Sequence, residues 1–267
     1  MSKLKILVCG YGFTSQYLIS NFDQEYRILS RNFIKPMYKL NDDFLPDVVI
    51  DTIPPVYKNN QMSNPLYKEI LLNLYNKKKF LYVHISSTSV YPDINAEYDE
   101  KTPFDLNLLS TRGKKRWDLE NYILQYFPYA LIIRSGGIYG PGRNLILSLK
   151  NQNFNHLPEE NKIVYRIHIY DLCSLILYTS QMIIMNGLEK SVFPGYNRNN
   201  VINAVYPENE PIKNVLYFIK EHYKISIPEK FFHLNEPIHK RIIRSIYLKN
   251  FNFRFSDFRK GFIQCFS

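Results

Sequence analysis

Two glycines one residue apart, Gly10 and Gly12, stand directly after the apolar run Ile6-Leu7-Val8-Cys9. They precede a segment whose apolar residues, Phe13, Tyr17, Leu18 and Phe22, recur at helical spacing. The pattern implies a buried strand, a tight turn and a helix. Gly10 permits the sharp turn. Gly12 lets the backbone approach a pyrophosphate, whose charge is then held by N–H groups at the helix start, over Phe13, Thr14 and Ser15. Ser15 occupies the third position of the Gly-x-Gly-x-x-Gly fingerprint, where a side chain is expected to loosen helix-to-strand packing slightly. The stretch reads as a dinucleotide cradle, the alternative being a plain strand-turn-helix corner.

A second pair of polar residues ends the next strand, read over residues 26–31. An acidic residue there would hydrogen-bond both adenine-ribose hydroxyls and favour NAD. Ser30 and Arg31 instead offer a hydroxyl and a guanidinium suited to a 2′-phosphate. NADP(H) is therefore expected in preference to NAD(H), against the alternative of a solvated surface arginine.

The elements that would position these groups alternate along the chain. Val48-Val49-Ile50 is a buried parallel strand, and Pro54-Pro55 stops it at the edge where ligands lie in such sheets, placing Thr52 and Ile53 with the cofactor residues. A helix is expected over residues 66–76, a strand over 80–85 and a helix over 112–126 with Trp117, Leu119, Tyr122, Ile123 and Tyr126 largely on one face. A strand follows over 129–134, then a glycine-rich loop, a short helix from Leu145, and residues 164–172 leading into a helix that ends near Met185. Residues 201–205 read as the last strand, and residues 211–223 as a helix ahead of a basic, aromatic tail. In that tail, alternation over residues 251–255 suggests a strand with an apolar inner face. The class is α/β: a Rossmann-type doubly wound parallel sheet with a small C-terminal lobe. Residues 1–140 would form the nucleotide-binding domain and 141–267 the lobe, with 164–206 returning to the sheet.

Composition narrows the function. The net charge of +10 invites a nucleic-acid reading, but Lys and Arg are spread along the chain, and the densest run, Lys77-Lys78-Lys79, falls between a helix and a strand. Anionic small substrates explain the basicity as well, and no nucleic-acid partner is expected. Cys9, Cys173 and Cys265 are far apart and in apolar settings, which suggests reduced thiols in a cytoplasmic protein and no metal site. No apolar run approaches the roughly 18 residues a membrane span needs, and no signal peptide is read at the N-terminus.

Taken together these residues resemble the extended short-chain dehydrogenase/reductases, also called NAD-dependent epimerase/dehydratases. The likeness rests on Gly10-x-Gly12, the strand at 47–50, Ser86-Ser87-Thr88-Ser89-Val90-Tyr91, Arg134-Ser135-Gly136-Gly137-Ile138-Tyr139-Gly140-Pro141-Gly142, and Arg166-Ile167-His168-Ile169-Tyr170-Asp171. In that family a Ser or Thr and a Tyr-x-x-x-Lys pair carry the proton chemistry. Ser87 matches the hydroxyl position. Counting back from Glu120, the Tyr and Lys positions are held by Arg112 and Arg116. A guanidinium stays protonated and cannot serve as a general base, so the usual relay is missing. The stretch, with Lys240-Arg241-Ile242-Ile243-Arg244 and residues 255–262 of the tail, looks like an atypical branch labelled nucleoside-diphosphate-sugar epimerases.

The resemblance implies a nucleotide sugar or similar phosphorylated metabolite as substrate, oxidoreduction or epimerisation as the reaction, and pairing into a homodimer through a helical interface that includes the Arg112 helix. Arg112 and Arg116 would bind a substrate anion with their planar forks, or Arg116 would take over the lysine's hydrogen bonds, or both would sit solvated on a helix start. In the resembled fold Ser87, Tyr91, Tyr139 and His168 face the cleft, and of these only His168 has an ordinary pKa near neutrality. Its alternative role is to stabilise the hinge beside Asp171. Arg143 and Arg166 are candidate phosphate ligands. A rival from another class is a non-catalytic NADP(H)-binding redox sensor or scaffold.

Overall fold

The computed structural model describes residues 3–30, 44–58, 61–62, 68–155, 157–158, 161–189, 200–233 and 241–266. The first strand, β1 (Lys5–Cys9), is buried from Ile6 onward and runs into α1 (Phe13–Asn21) through the glycine turn. Then come β2 (Glu25–Leu29), β3 (Val48–Asp51), α2 (Lys68–Lys77), β4 (Leu81–Ser87) and α3 (Thr111–Tyr126). The chain continues through β5 (Ala130–Ser135), β6 (Gly137–Tyr139), α4 (Leu145–Lys150), β7 (Arg166–His168) and α5 (Ile169–Asn186). It closes with β8 (Val201–Ala204), α6 (Ile212–Tyr223) and α7 (Phe258–Gln264).

Six strands form one sheet in the order β8-β5-β4-β3-β1-β2. The chain thus winds outward from β1 in both directions, as in a doubly wound sheet. The registers are parallel: Leu7 lies opposite Arg27 on one side and Val49 on the other, and Val49 opposite Tyr82. Strands covered on both faces read as continuous apolar runs, and the inner strands β1, β3 and β4 do. Leu7, Cys9, Val49, Tyr82 and Ile132 point to one face, where Leu71, Leu74 and Tyr75 of α2 and Leu119 and Ile123 of α3 close over them. Phe127 stacks on Tyr82 with ring centroids 4.4 Å apart. Ile6, Val8, Val48, Ile50, Val83 and Ile133, equally buried, alternate with them onto the other face.

The chain divides into two compact units. The first holds residues 1–90, 111–134 and 173–202; the second holds 91–110, 135–172 and 203–267. In the second, β6 and β7 pair in parallel, with His168 opposite Tyr139, as a sheet of their own. Residues 97–98 and 242–243 pair in another.

Three local expectations change. Residues 251–255 form no strand. Phe255 is buried and Arg254 exposed, as the alternation implies, but the backbone N–H groups of both donate to the Asp171 carboxylate rather than to a partner strand. Cys9 and Cys173 are buried free thiols, whereas Cys265 is half-buried. The inner face of α3 carries a charge: Glu120 is buried with Leu119 and Ile123, while Trp117, Tyr122 and Tyr126 are half-buried.

Candidate functional site

The glycine turn is fastened from three sides within the first unit. Gly10 N–H donates to Leu29 O at 2.9 Å, and Thr52 donates twice to Cys9 O, through its N–H and its hydroxyl, each at 3.0 Å. Gly10 has φ +91°, and a Cβ there would lie 2.7 Å from Thr52 Oγ1 and 3.1 Å from a carbon of Ile53. Glycine is therefore required by the protein itself. Gly12 differs. Its φ of −97° is open to any residue, and a Cβ there would meet nothing within 4 Å. Ser15 does not loosen this corner: it is fully buried, and its Oγ accepts from Gly12 N–H at 3.0 Å and lies 3.4 Å from Thr52 Oγ1. Thr14 is buried and Phe13 half-buried at the helix start, and no acidic residue occupies the first turn of α1. Ser30 is buried just past β2, while Arg31 lies outside the described residues. Gly10, Gly12, Phe13, Thr14, Ser15, Thr52 and Ile53 thus belong to one corner, with Ser30 at the neighbouring strand end.

Asp51, the last residue of β3, underpins this corner and was not picked out by sequence reasoning. Its Oδ1 accepts from Ile53 N–H at 2.9 Å, its Oδ2 accepts from Tyr82 O–H at 2.9 Å, and His84 Nδ1 is 3.0 Å from the same Oδ2. Burial, followed by the Asp51 charge, pushes the Tyr82 phenol and the Cys9 thiol up, so both stay protonated. The signal available in the sequence was an acidic residue ending an otherwise apolar strand.

Ser87 ends β4, half-buried, and its Oγ accepts from Ser89 N–H at 3.3 Å. At the start of α3, Arg112 is exposed and Arg116 half-buried. Desolvation lowers the Arg116 pKa, and repulsion from Arg112 one turn away adds to it. Further along α3, Glu120 receives Arg134 at 2.7 Å through Nη2 and 3.1 Å through Nε, and Ser86 O–H donates to its other oxygen. The carboxylate taken in sequence as a landmark is thus a buried ion-pair partner.

Tyr91, Tyr139, Arg143, Arg166 and His168 belong to the second unit. The Tyr91 hydroxyl donates toward Asn203 Oδ1 at 2.9 Å. His168 is fully buried; its Nδ1 accepts from Tyr170 N–H at 3.2 Å, and its ring lies 4.2 Å from Phe255 and 5.2 Å from Tyr139. Burial, assisted by Arg254, lowers its pKa to about 4, so the ring is neutral at pH 7. Burial raises the Tyr139 phenol, which therefore stays protonated. The Tyr206 hydroxyl oxygen accepts from the His168 backbone N–H, and its O–H donates to Asp171, each at 2.8 Å. Asp171 also accepts from Arg254 and Phe255 N–H, so it anchors the tail to α5. Arg143 is exposed in a turn closed by paired hydrogen bonds with Gly140. Among the described residues no group of three His, Cys, Asp or Glu could hold a metal ion, and no helix is long and apolar enough to cross a membrane.

Solved structures match nearly the full length of the chain. A protein from Methylobacillus flagellatus assigned as an NAD-dependent epimerase/dehydratase matches at TM-score 0.67 and 20% identity, over 98% of this chain and 97% of that one. The chain has the Rossmann-type fold of that structure. A dTDP-glucose 4,6-dehydratase from Bacillus anthracis str. Ames, solved with NAD, matches at 0.65 and 17% identity over 98% and 94%. A UDP-N-acetylglucosamine 4-epimerase from Methanobrevibacter ruminantium M1, solved with UDP-N-acetylmuramic acid, matches at 0.64 and 12% identity over 99% and 97%. No family model matches the sequence, and neither does any curated protein.

Proposed function

We propose that the first unit binds a nicotinamide dinucleotide, NADP(H) in preference to NAD(H), and that the chain acts on a nucleotide sugar or similar phosphorylated metabolite by oxidoreduction or epimerisation. The observation that carries this reading is the pair of glycines. Gly10 is needed by the fold, but Gly12 stands at the head of α1 with open space where its side chain would be, the space a pyrophosphate would fill. The names of the superposed structures support the substrate class. Ser30, with Arg31 beyond it, supports the preference for a 2′-phosphate.

Gly10, Gly12 and the first turn of α1 would hold the pyrophosphate, Thr52 and Ile53 would border the ligand, and Arg116 would stand where the family places its lysine. The nicotinamide would supply hydride acceptance or donation. Ser87 would orient a substrate hydroxyl or carbonyl, and Arg112 and Arg116 would hold a substrate anion. The low pKa of His168 and the raised one of Tyr139 make both weak proton carriers at neutral pH, so their part in this reading is to shape the substrate-binding lobe.

A second reading is a non-catalytic NADP(H) sensor or scaffold. It is favoured by Arg112 and Arg116, two guanidinium groups where a titrating phenol and a lysine would complete the proton relay.

The test is titration of the protein with NADPH, NADP, NADH and NAD, comparing wild type with Gly12→Val and Arg31→Asp. NADPH binding that is lost in Gly12→Val and shifts toward NADH in Arg31→Asp supports the cofactor reading. A screen of nucleotide sugars for turnover then separates enzyme from sensor. Binding of none of the four nucleotides would overturn the cofactor reading and the sensor, and leave the scaffold.

A further inference from the structure

The second unit contains a cavity of about 380 Å³ that no part of the proposed reaction uses. Its apolar wall is Val164, Val215 and Phe258, and its polar wall includes Arg166, Glu208, Glu210, Asp257 and Arg259. The two arginines are in opposite states. Arg259 is neutralised: its Nη1 and Nη2 reach the Glu210 oxygens at 2.9 and 3.4 Å, and Asp257 lies 3.4 Å away. Arg166 has no such partner, and no hydrogen bond or ion pair joins its guanidinium to any described residue. Desolvation lowers its pKa to about 10, with the neighbouring Tyr139 opposing the shift, so it stays charged at neutral pH. Arg166 is half-buried at the start of β7, and its guanidinium is left to pair with an anion that enters the cavity.

The surrounding charges select the anion. The cavity is lined by two cations and three carboxylates, so a phosphate dianion or a diphosphate would meet repulsion from Glu208, Glu210 and Asp257. A monoanion that is planar, so as to accept both N–H groups of one guanidinium edge, adds the least repulsion and fits the one arginine that no carboxylate already holds. The apolar wall suits a hydrocarbon body behind it.

We propose that this cavity binds a small monocarboxylate with an apolar body, its carboxylate paired with Arg166 and its hydrocarbon part against Val164, Val215 and Phe258. The site lies wholly within the second unit and needs no dinucleotide, so it stands or falls apart from the cofactor reading.

The test is calorimetric titration of the full chain, without nicotinamide cofactor and at constant ionic strength, with sodium benzoate, sodium isovalerate, sodium phosphate and sodium pyrophosphate. At least one carboxylate is expected to bind more tightly than either phosphate probe. Arg166→Met should weaken that binding on the order of 10- to 100-fold, and Arg166→Lys, which keeps the charge but loses the fork, should weaken it less. Without ligand, Arg166→Met should melt at the same temperature as wild type or above it, because no hydrogen bond or ion pair to a described residue is lost. Failure of both carboxylates to bind wild type would overturn the proposal. So would tighter binding of phosphate or pyrophosphate, unchanged carboxylate binding in Arg166→Lys and Arg166→Met, or a lower melting temperature of ligand-free Arg166→Met.

Discussion

Glu120 accepts hydrogen bonds from Arg134 on both of its oxygens inside the first unit, with Ser86 on Oε1 as well and Trp117 flanking the guanidinium at 5.7 Å. Both charges are almost completely withdrawn from water. Removing one of them strands the other, which costs far more than the pair itself contributes. Glu120→Gln or Arg134→Met should each destabilise the protein by about 3–5 kcal/mol. The double replacement by Leu and Met should recover most of that loss. Urea unfolding of the three variants tests this, and single losses that simply add in the double variant would contradict it.

Gly10 and Gly12 should separate stability from binding. Gly10→Val forces a branched side chain into φ +91° and against Thr52, and should lose about 2–4 kcal/mol. Gly12→Val should melt within a degree or two of wild type, because its backbone is extended and its surroundings are open. Any loss of dinucleotide binding in Gly12→Val then reports the ligand contact and not the fold. Thermal melts beside the nucleotide titrations provide the comparison.

His168 gives a pH dependence with a defined sign. Its folded pKa of about 4 lies below the ordinary value of 6.5, so between those limits the unfolded chain binds more protons than the folded one. The stability linked to this ring is full above about pH 6.5 and is lost as pH falls toward 4, an effect on the order of 2–3 kcal/mol. Asp171 and Glu100, whose carboxyls are raised chiefly by burial, act in the opposite sense at the acid end of the same range. The difference between wild type and His168→Gln isolates the ring. Wild type should lose stability more steeply than the variant between pH 6.5 and 4, and parallel curves would refute the assignment.

Tyr139 and Gly261 are packed so closely that a Cβ on Gly261 would overlap the Tyr139 hydroxyl. Gly261→Ala should cost about 1–3 kcal/mol through overpacking. Adding Tyr139→Phe removes the obstructing oxygen and should return part of that loss, so a double-mutant cycle should give a favourable coupling between the two changes. Additive effects would mean that the helix simply shifts aside.

The sheet was legible because its inner strands are buried on both faces and so stand out as short apolar runs, and the glycine turn because its requirements are local. Glu120 was visible only as a landmark, since its burial depends on Arg134 from the following strand and on Ser86 from the preceding one. His168 shows the same limit: its ordinary pKa suggests a proton carrier, but Phe255 and Tyr139, far away in sequence, enclose the ring and keep it neutral. The alternation at 251–255 correctly identified Phe255 as buried and misjudged the backbone, because the acceptor for its N–H groups is a side chain on α5. Asp51 was passed over because nothing local shows that Tyr82 and His84 converge on it.

The interleaving of the two units has a consequence for synthesis. β8 is the edge strand beside β5, yet about seventy residues separate them in the chain, most of which belong to the second unit or to α5. On the ribosome, the first 140 residues emerge with β5 lacking its neighbour, and an unpaired strand edge is a template for joining another chain. Sheet completion must wait until β8 has left the exit tunnel. The nascent chain is therefore most exposed to aggregation, and most dependent on chaperones, during the interval in which the second unit is being made.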